Sequence, residues 1–204
     1  HGHRTRRRLP GLVRRRRQFW RGRRLRPLVA MATLWHRIAS LLRHQWQGSR
    51  RLPQQLRGPA LERMEARVAQ GERRHSGQVR ICIEAALPLA WAWRVAPARE
   101  RAIAWFGKLR VWDTEHNNGV LVYLLLAERR IEIVADRALA RAVAPAEWDA
   151  LVARMGTRLH AGDWEGALNL AVDDVSALLE RHSAGLARMA NELPDAPFLA
   201  REDY

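Results

Sequence analysis

One short polar run holds the residues best suited to chemistry. Asp113, Glu115, His116, Asn117 and Asn118 fall together, and Asp136 follows an apolar stretch downstream. Carboxylate and amide oxygens at this density suit a hard divalent cation such as Ca2+ or Mg2+. A cation held there would neutralise charge on a transferring phosphoryl group, which phosphate-ester hydrolysis requires. The spacing is not that of an EF-hand loop. The same residues equally make a turn beside a solvated charged loop, because Asn117-Asn118-Gly119 favours a turn. Other catalytic patterns fail. Gly107-Lys108 lacks the upstream glycine and the following Ser or Thr of a phosphate-binding loop. There is no nucleophile elbow. His75, His160 and His182 are scattered, and Cys82 has no neighbour in sequence that would activate a thiolate. No residue is assigned a catalytic role.

These residues need elements to position them. Pro59 opens a helix over about 60–73, with Leu61, Met64 and Val68 on one side. Residues 78–86 alternate: Val79, Ile81, Ile83 and Ala85 face one way, while Gln78, Arg80, Cys82 and Glu84 face the other. That pattern predicts a half-buried strand. Residues 88–97 read as a loop carrying Trp91 and Trp93. A helix then runs to Leu109 with Ile103, Phe106 and Leu109 inward. The run 119–127 is apolar throughout, as in a strand covered on both faces. Residues 131–136 alternate again and pair antiparallel with it across Arg129-Arg130. Two helices follow. One covers 145–159, with Trp148, Leu151, Val152, Met155 and Leu159 inward. The other starts after Asp163, a helix-capping residue, with Leu168, Ala171, Val172, Val175, Leu178 and Leu179 inward. The order α-β-α-β-β-α-α predicts a three-layer α/β/α sandwich around a small mixed sheet over residues 58–182. Residues 183–204 read as a loose tail.

Charge divides the chain. Its 204 residues carry a formal net charge of +15. Residues 1–57 hold 17 Arg and no acid, so the remainder is close to neutral at −2. A segment as Arg-rich as 1–30 repels itself and reads as disordered. It is either a polyanion-binding tail or a non-native extension ahead of a start at Met31. Residues 31–57 form a basic amphipathic segment and a linker. In it Trp35, Ile38, Leu41, Leu42 and Trp46 make an apolar helical stripe, with Arg37 and Arg43 on the other side. Such a helix can lie in the interface of an anionic bilayer, where each Arg contributes on the order of 1 kcal/mol. It can equally pack on the domain's own core. The longest apolar run falls well short of the ~20 residues of a spanning helix, and a single cysteine excludes a disulfide framework. The expectation is a cytoplasmic protein, peripheral at the inner face of a membrane. Nucleic acid is a poor candidate partner, because the domain behind the arm offers no basic face.

Four segments carry a family resemblance: Gln78–Glu84, Val111–Leu126, Arg130–Arg137 and Ala161–Leu168. Their order and spacing resemble the TPM domain family, which includes thylakoid-lumen phosphatase-like proteins. The most specific element is Asn-Asn-Gly-Val-Leu before an apolar strand, supported by the helix entry Ala-Gly-Asp-Trp. Trp112-Asp113-Thr114 and Glu192–Pro197 look like a short bacterial subgroup. The resemblance implies an α/β/α sandwich, a divalent-metal site of acidic residues beyond the strand ends, and weak acid-phosphatase activity in some members. Longer relatives carry Asp in a Leu-Thr-Asp turn, where this chain reads Ala142-Val143-Ala144-Pro145. They carry Gly-Tyr-Gly where this chain reads Ala135-Asp136-Arg137. For this chain it therefore implies an accessory module with weak or no catalysis, acting on a protein partner at the membrane. A metal-dependent acid phosphatase is the alternative.

Overall fold

A computed structural model describes residues 36–45, 52–182 and 191–200. The elements of the core domain follow the chemistry of their sequences. Pro59 sits in the first turn of α2 (Pro59–Glu72), where its missing N–H costs no hydrogen bond. Pro145 does the same for α6 (Pro145–His160). Asp163 precedes α7 (Trp164–His182), and its side chain accepts from the Gly166 N–H at 2.9 Å. This satisfies one of the orphan donors of that helix terminus.

The sheet has four strands in the order β3-β2-β1-β4. β1 (Gln78–Glu84) and β2 (Gly119–Leu125) are parallel, joined through α3 (Leu89–Arg94) and α4 (Ala98–Lys108). β3 (Arg130–Ala135) returns antiparallel to β2. β4 (Phe198–Ala200) runs parallel to β1 on the opposite edge. Between β3 and α6 lies α5 (Arg137–Ala142).

Alternation sorts the side chains into two cores. Val79, Ile81, Ile83, Val120, Val122, Leu124, Ile131 and Ile133 meet α2, α6 and α7 on one face. Cys82, Leu121, Tyr123, Leu125 and Val134 meet α3, α4 and Leu193 on the other. The expected three-layer α/β/α sandwich is the architecture observed.

Five details differ from expectation. β1 is buried along its whole length rather than half-buried. Its polar side is consumed: Gln78 Oε1 accepts from the N–H groups of Glu192 and Leu193, and Arg80 donates to the carbonyls of Pro194 and Ala196. The segment 191–200, expected to be loose, thus lies over that side before joining the sheet. Residues 89–94 are helical, not loop, and α5 is an added turn of helix. In α4 the buried positions are Ala98, Arg101, Ala102 and Trp105, while Ile103 is exposed. The helix is rotated so that Arg101 and Trp105 reach a carboxylate in β1.

Candidate functional site

The first candidate lies where β2 begins and β3 ends. Asn117 adopts a left-handed backbone (φ 52°), which asparagine tolerates better than most residues. Gly119 serves another need. A Cβ there would lie 2.0 Å from the Val111 carbonyl oxygen, so only glycine lets the connector close against the strand. Asn118 is buried; its N–H donates to Thr114 Oγ1 at 3.2 Å and its Nδ2 to Ser76 Oγ at 3.3 Å. Across the ladder, the Asp136 N–H donates to the Gly119 carbonyl at 2.8 Å. Asp136 caps α5 by accepting from the Arg137 N–H, and Arg137 also holds Asn117 Oδ1 at 2.5 Å. The structure therefore gathers Asn117, Asn118 and Asp136 at one end of the sheet. Asn118 Oδ1 and Asp136 Oδ2 are buried there without a hydrogen-bond partner among the described residues. Asp113 and Glu115 stay on the exposed connector, where the Glu115 N–H is held by Glu192 at 3.0 Å. Among the described residues, no group of three His, Cys, Asp or Glu side chains is placed to hold a metal ion.

The second candidate is the basic helix. α1 (36–45) lies against the domain. His44, buried, accepts from the Leu87 N–H at 3.1 Å and lies 3.3 Å from Glu128. Arg37 stacks on Trp93 with its guanidinium carbon 5.5 Å from the ring centroid. The packed face thus contains Ser40, Leu41 and His44, of which Ser40 and His44 lie outside the expected apolar stripe, whereas Leu42 of that stripe points to solvent. Arg43 is exposed and Ile38 half-buried; Trp35 and Trp46 lie outside the described residues. On neighbouring α3 and its C-terminal cap, Leu89, Trp93 and Val95 are also exposed.

Sequence reasoning missed a third feature. Glu84 is fully enclosed. It receives Arg101 Nε at 3.1 and 3.0 Å and Nη2 at 2.6 Å, Tyr123 OH at 2.6 Å and Trp105 Nε1 at 3.2 Å. Arg101 lies between the Trp91 and Trp105 rings, 5.2 and 5.0 Å from their centroids. Burial and the nearby Glu84 charge push the Tyr123 hydroxyl well above its usual range. Burial does the same to the Cys82 thiol, so this cysteine is a packed thiol and not a nucleophile. The spacing of Arg101 and Trp105 on one face of α4 is the available signal in the sequence.

A small cavity of about 180 Å³ lies beside Glu72, His75, Ser76, Gln78 and Asp195. Burial pushes the Glu72 carboxyl up to about 8, with Asp195 adding to the effect. Burial lowers the His75 pKa, and its Nδ1 is 3.1 Å from the Gly77 carbonyl.

The fold and the strand-end geometry define a class: a three-layer domain whose connector closes on glycine ahead of a doubly buried strand. A family model for the TPM domain matches residues 54–178, and the chain belongs to that family. Among solved structures it is similar to the NMR structure of the BA42 protein from the psychrophilic bacterium Bizionia argentinensis. The TM-score is 0.64 at 18% identity, covering 74% of this chain and 99% of that one. At this identity the likeness is one of fold. No curated protein matches the chain.

Proposed function

We propose that this TPM domain is an accessory module that rests on an anionic membrane surface at its cytoplasmic side and acts there on a protein partner. The observation that carries the reading is the pairing of α1 with α3. These neighbouring helices leave Leu42, Leu89, Trp93 and Val95 exposed, with Arg37, Arg43 and Arg94 on the same two helices. Exposed apolar side chains beside cations are what a bilayer interface accepts. Trp suits the boundary because its ring is apolar and its N–H polar. No helix of the described residues is long and apolar enough to cross a membrane. Sedimentation with anionic vesicles tests this. The whole chain should bind, more weakly as salt rises, and Trp93→Glu with Leu42→Glu should release it. Equal sedimentation of the double variant would leave only the Arg-rich segment as the cause and remove the reading.

A second reading rests on the unpartnered oxygens of Asn118 and Asp136. They suit a Ca2+ or Mg2+ ion, but two donors fall short of the about six to eight oxygens that Ca2+ takes. Water or backbone carbonyls would have to supply the rest. These donors do not by themselves fit a phosphoryl-transfer centre. A Ca2+-dependent rise in Tm, lost in Asp136→Asn, would support the ion. Hydrolysis of a chromogenic phosphate ester that falls in Asp113→Asn and Asp136→Asn would support the phosphatase.

A further inference from the structure

β3 ends the sheet, and among the described residues no strand pairs with its outer edge. The Asp136 N–H reaches the Gly119 carbonyl, and β3 pairs Leu121 with Val134 and Tyr123 with Glu132. In an antiparallel ladder, alternate residues turn their backbone groups toward the partner strand. Residues 132, 134 and 136 therefore face β2, and Ile131 and Ile133 direct their N–H and C=O groups outward. Among the described residues, one side chain meets this edge: Arg99 of α4 donates to the Ile133 carbonyl.

The edge borders a groove of about 690 Å³ whose two walls differ. On the side of α6, Trp148 and Val152 line it next to the Ile131 and Ile133 side chains. On the side of α4, Arg99 and Arg130 stand around Glu132, at 4.0 and 3.5 Å. Arg129, at the β2–β3 turn, is exposed and forms no ion pair among the described residues. A strand laid along β3 would alternate its side chains between these walls.

We infer that the β3 edge binds an extended segment of a partner protein in which apolar and acidic residues alternate, by strand addition. Apolar side chains rest on Trp148 and Val152, and acidic ones meet Arg99, Arg129 and Arg130. Backbone hydrogen bonds to Ile131 and Ile133 supply the register. One of these bonds replaces the Arg99 contact, which frees that guanidinium for a carboxylate. The groove is lined by Arg99, Arg129 and Arg130 against Glu132 and Asp149, and this excess of cation over acid favours an acidic partner. The inference deepens the accessory reading by giving the partner a surface. Its test involves no membrane, so failure on vesicles and failure here are separable.

The probe is a synthetic peptide, acetyl-Val-Glu-Val-Glu-Val-Glu-Val-amide, titrated into the whole chain labelled with 15N. Saturable shifts of the Ile131 and Ile133 amides are expected. Three comparisons sharpen this. Replacing each Glu by Lys should abolish the shifts. Charge reversal of the exposed pair, Arg129→Glu with Arg130→Glu, should weaken binding ~10-fold with the fold intact by circular dichroism. N-methylation of alternate peptide amides should abolish binding in one register and spare it in the other, because only one set faces β3. Shifts elsewhere only, equal binding of the Lys peptide, or indifference to N-methylation would overturn the proposal. So would concentration-dependent dimerisation that closes the edge.

Discussion

The two faces of the sheet are packed by different rules. Toward α2, α6 and α7 the core is aliphatic: Leu151, Met155, Leu168, Val172, Val175 and Leu179 close on Val120, Val122 and Leu124. Toward α3 and α4 the core encloses a carboxylate and a guanidinium in direct contact. On the first face, removing a side chain loses area and leaves a void. On the second, removing one partner strands a charge in a medium that cannot solvate it. Opposite faces of one strand thus fail for different reasons.

Arg101→Ala breaks that comparison hardest. It leaves Glu84 buried and unpaired, and urea unfolding should report a loss of about 4 kcal/mol. The double change Glu84→Gln with Arg101→Met should recover much of it, because a neutral amide that still accepts from Tyr123 and Trp105 avoids the stranded charge. If the double variant were as weak as the single, the cost would lie in packing and the two faces would be alike. Leu168→Ala on the aliphatic face should cost about 3 kcal/mol by the same measurement, with no rescue by a charge change.

Glu72 sharpens the comparison through pH. Its carboxyl, raised to about 8 by burial, holds a proton in the folded chain that the unfolded chain releases near the usual glutamate value. The folded state binds more protons in between, so this contribution is complete below the unfolded pKa and is lost as pH rises toward 8. Glu72→Gln keeps an acceptor for the Val79 N–H, now donating at 2.7 Å to Oε1, and mimics the protonated acid. Its stability should exceed that of the parent by on the order of 2 kcal/mol at pH 8, and the gap should close near pH 4. A gap independent of pH would mean that Glu72 is ionised in the fold. Smallest is Asp163→Ala, which removes a helix cap and should lower stability by about 1 kcal/mol in thermal melts.

How far the residues could be read in advance depended on which face they occupy. The α7 positions from Leu168 to Leu179 were assigned inward by spacing and are buried, because an aliphatic stripe has one favourable place to go. The apolar run of β2 was read as covered on both sides, and it is. Asp163 was read as a cap and caps. Errors cluster on the other face. Ile103, expected inward, is exposed while Arg101 is buried, and β1, expected to be half-buried, is covered on both sides. A lone Arg or Glu carries no sign that its partner waits 17 residues away, and the gain from pairing does not show in hydropathy. Of the strand-end residues, Asn117, Asn118 and Asp136 converge, whereas Asp113 and Glu115 stay on the connector. Proximity in sequence grouped them equally; the closure of the connector on Gly119 separates them.

Periodicity, turn residues and caps are local, so the order of elements, the aliphatic core and the family motif were all present in the linear chain. Long-range contacts set the rest. Segment 191–200 returns across β1 because Gln78 and Arg80 satisfy its backbone, α4 turns inward because Glu84 needs a cation, and the β3 edge stays open because no described strand comes to cover it. Each of these outcomes depends on groups far apart in sequence meeting in a low-dielectric interior or at a shared edge, and such meetings leave no periodic trace.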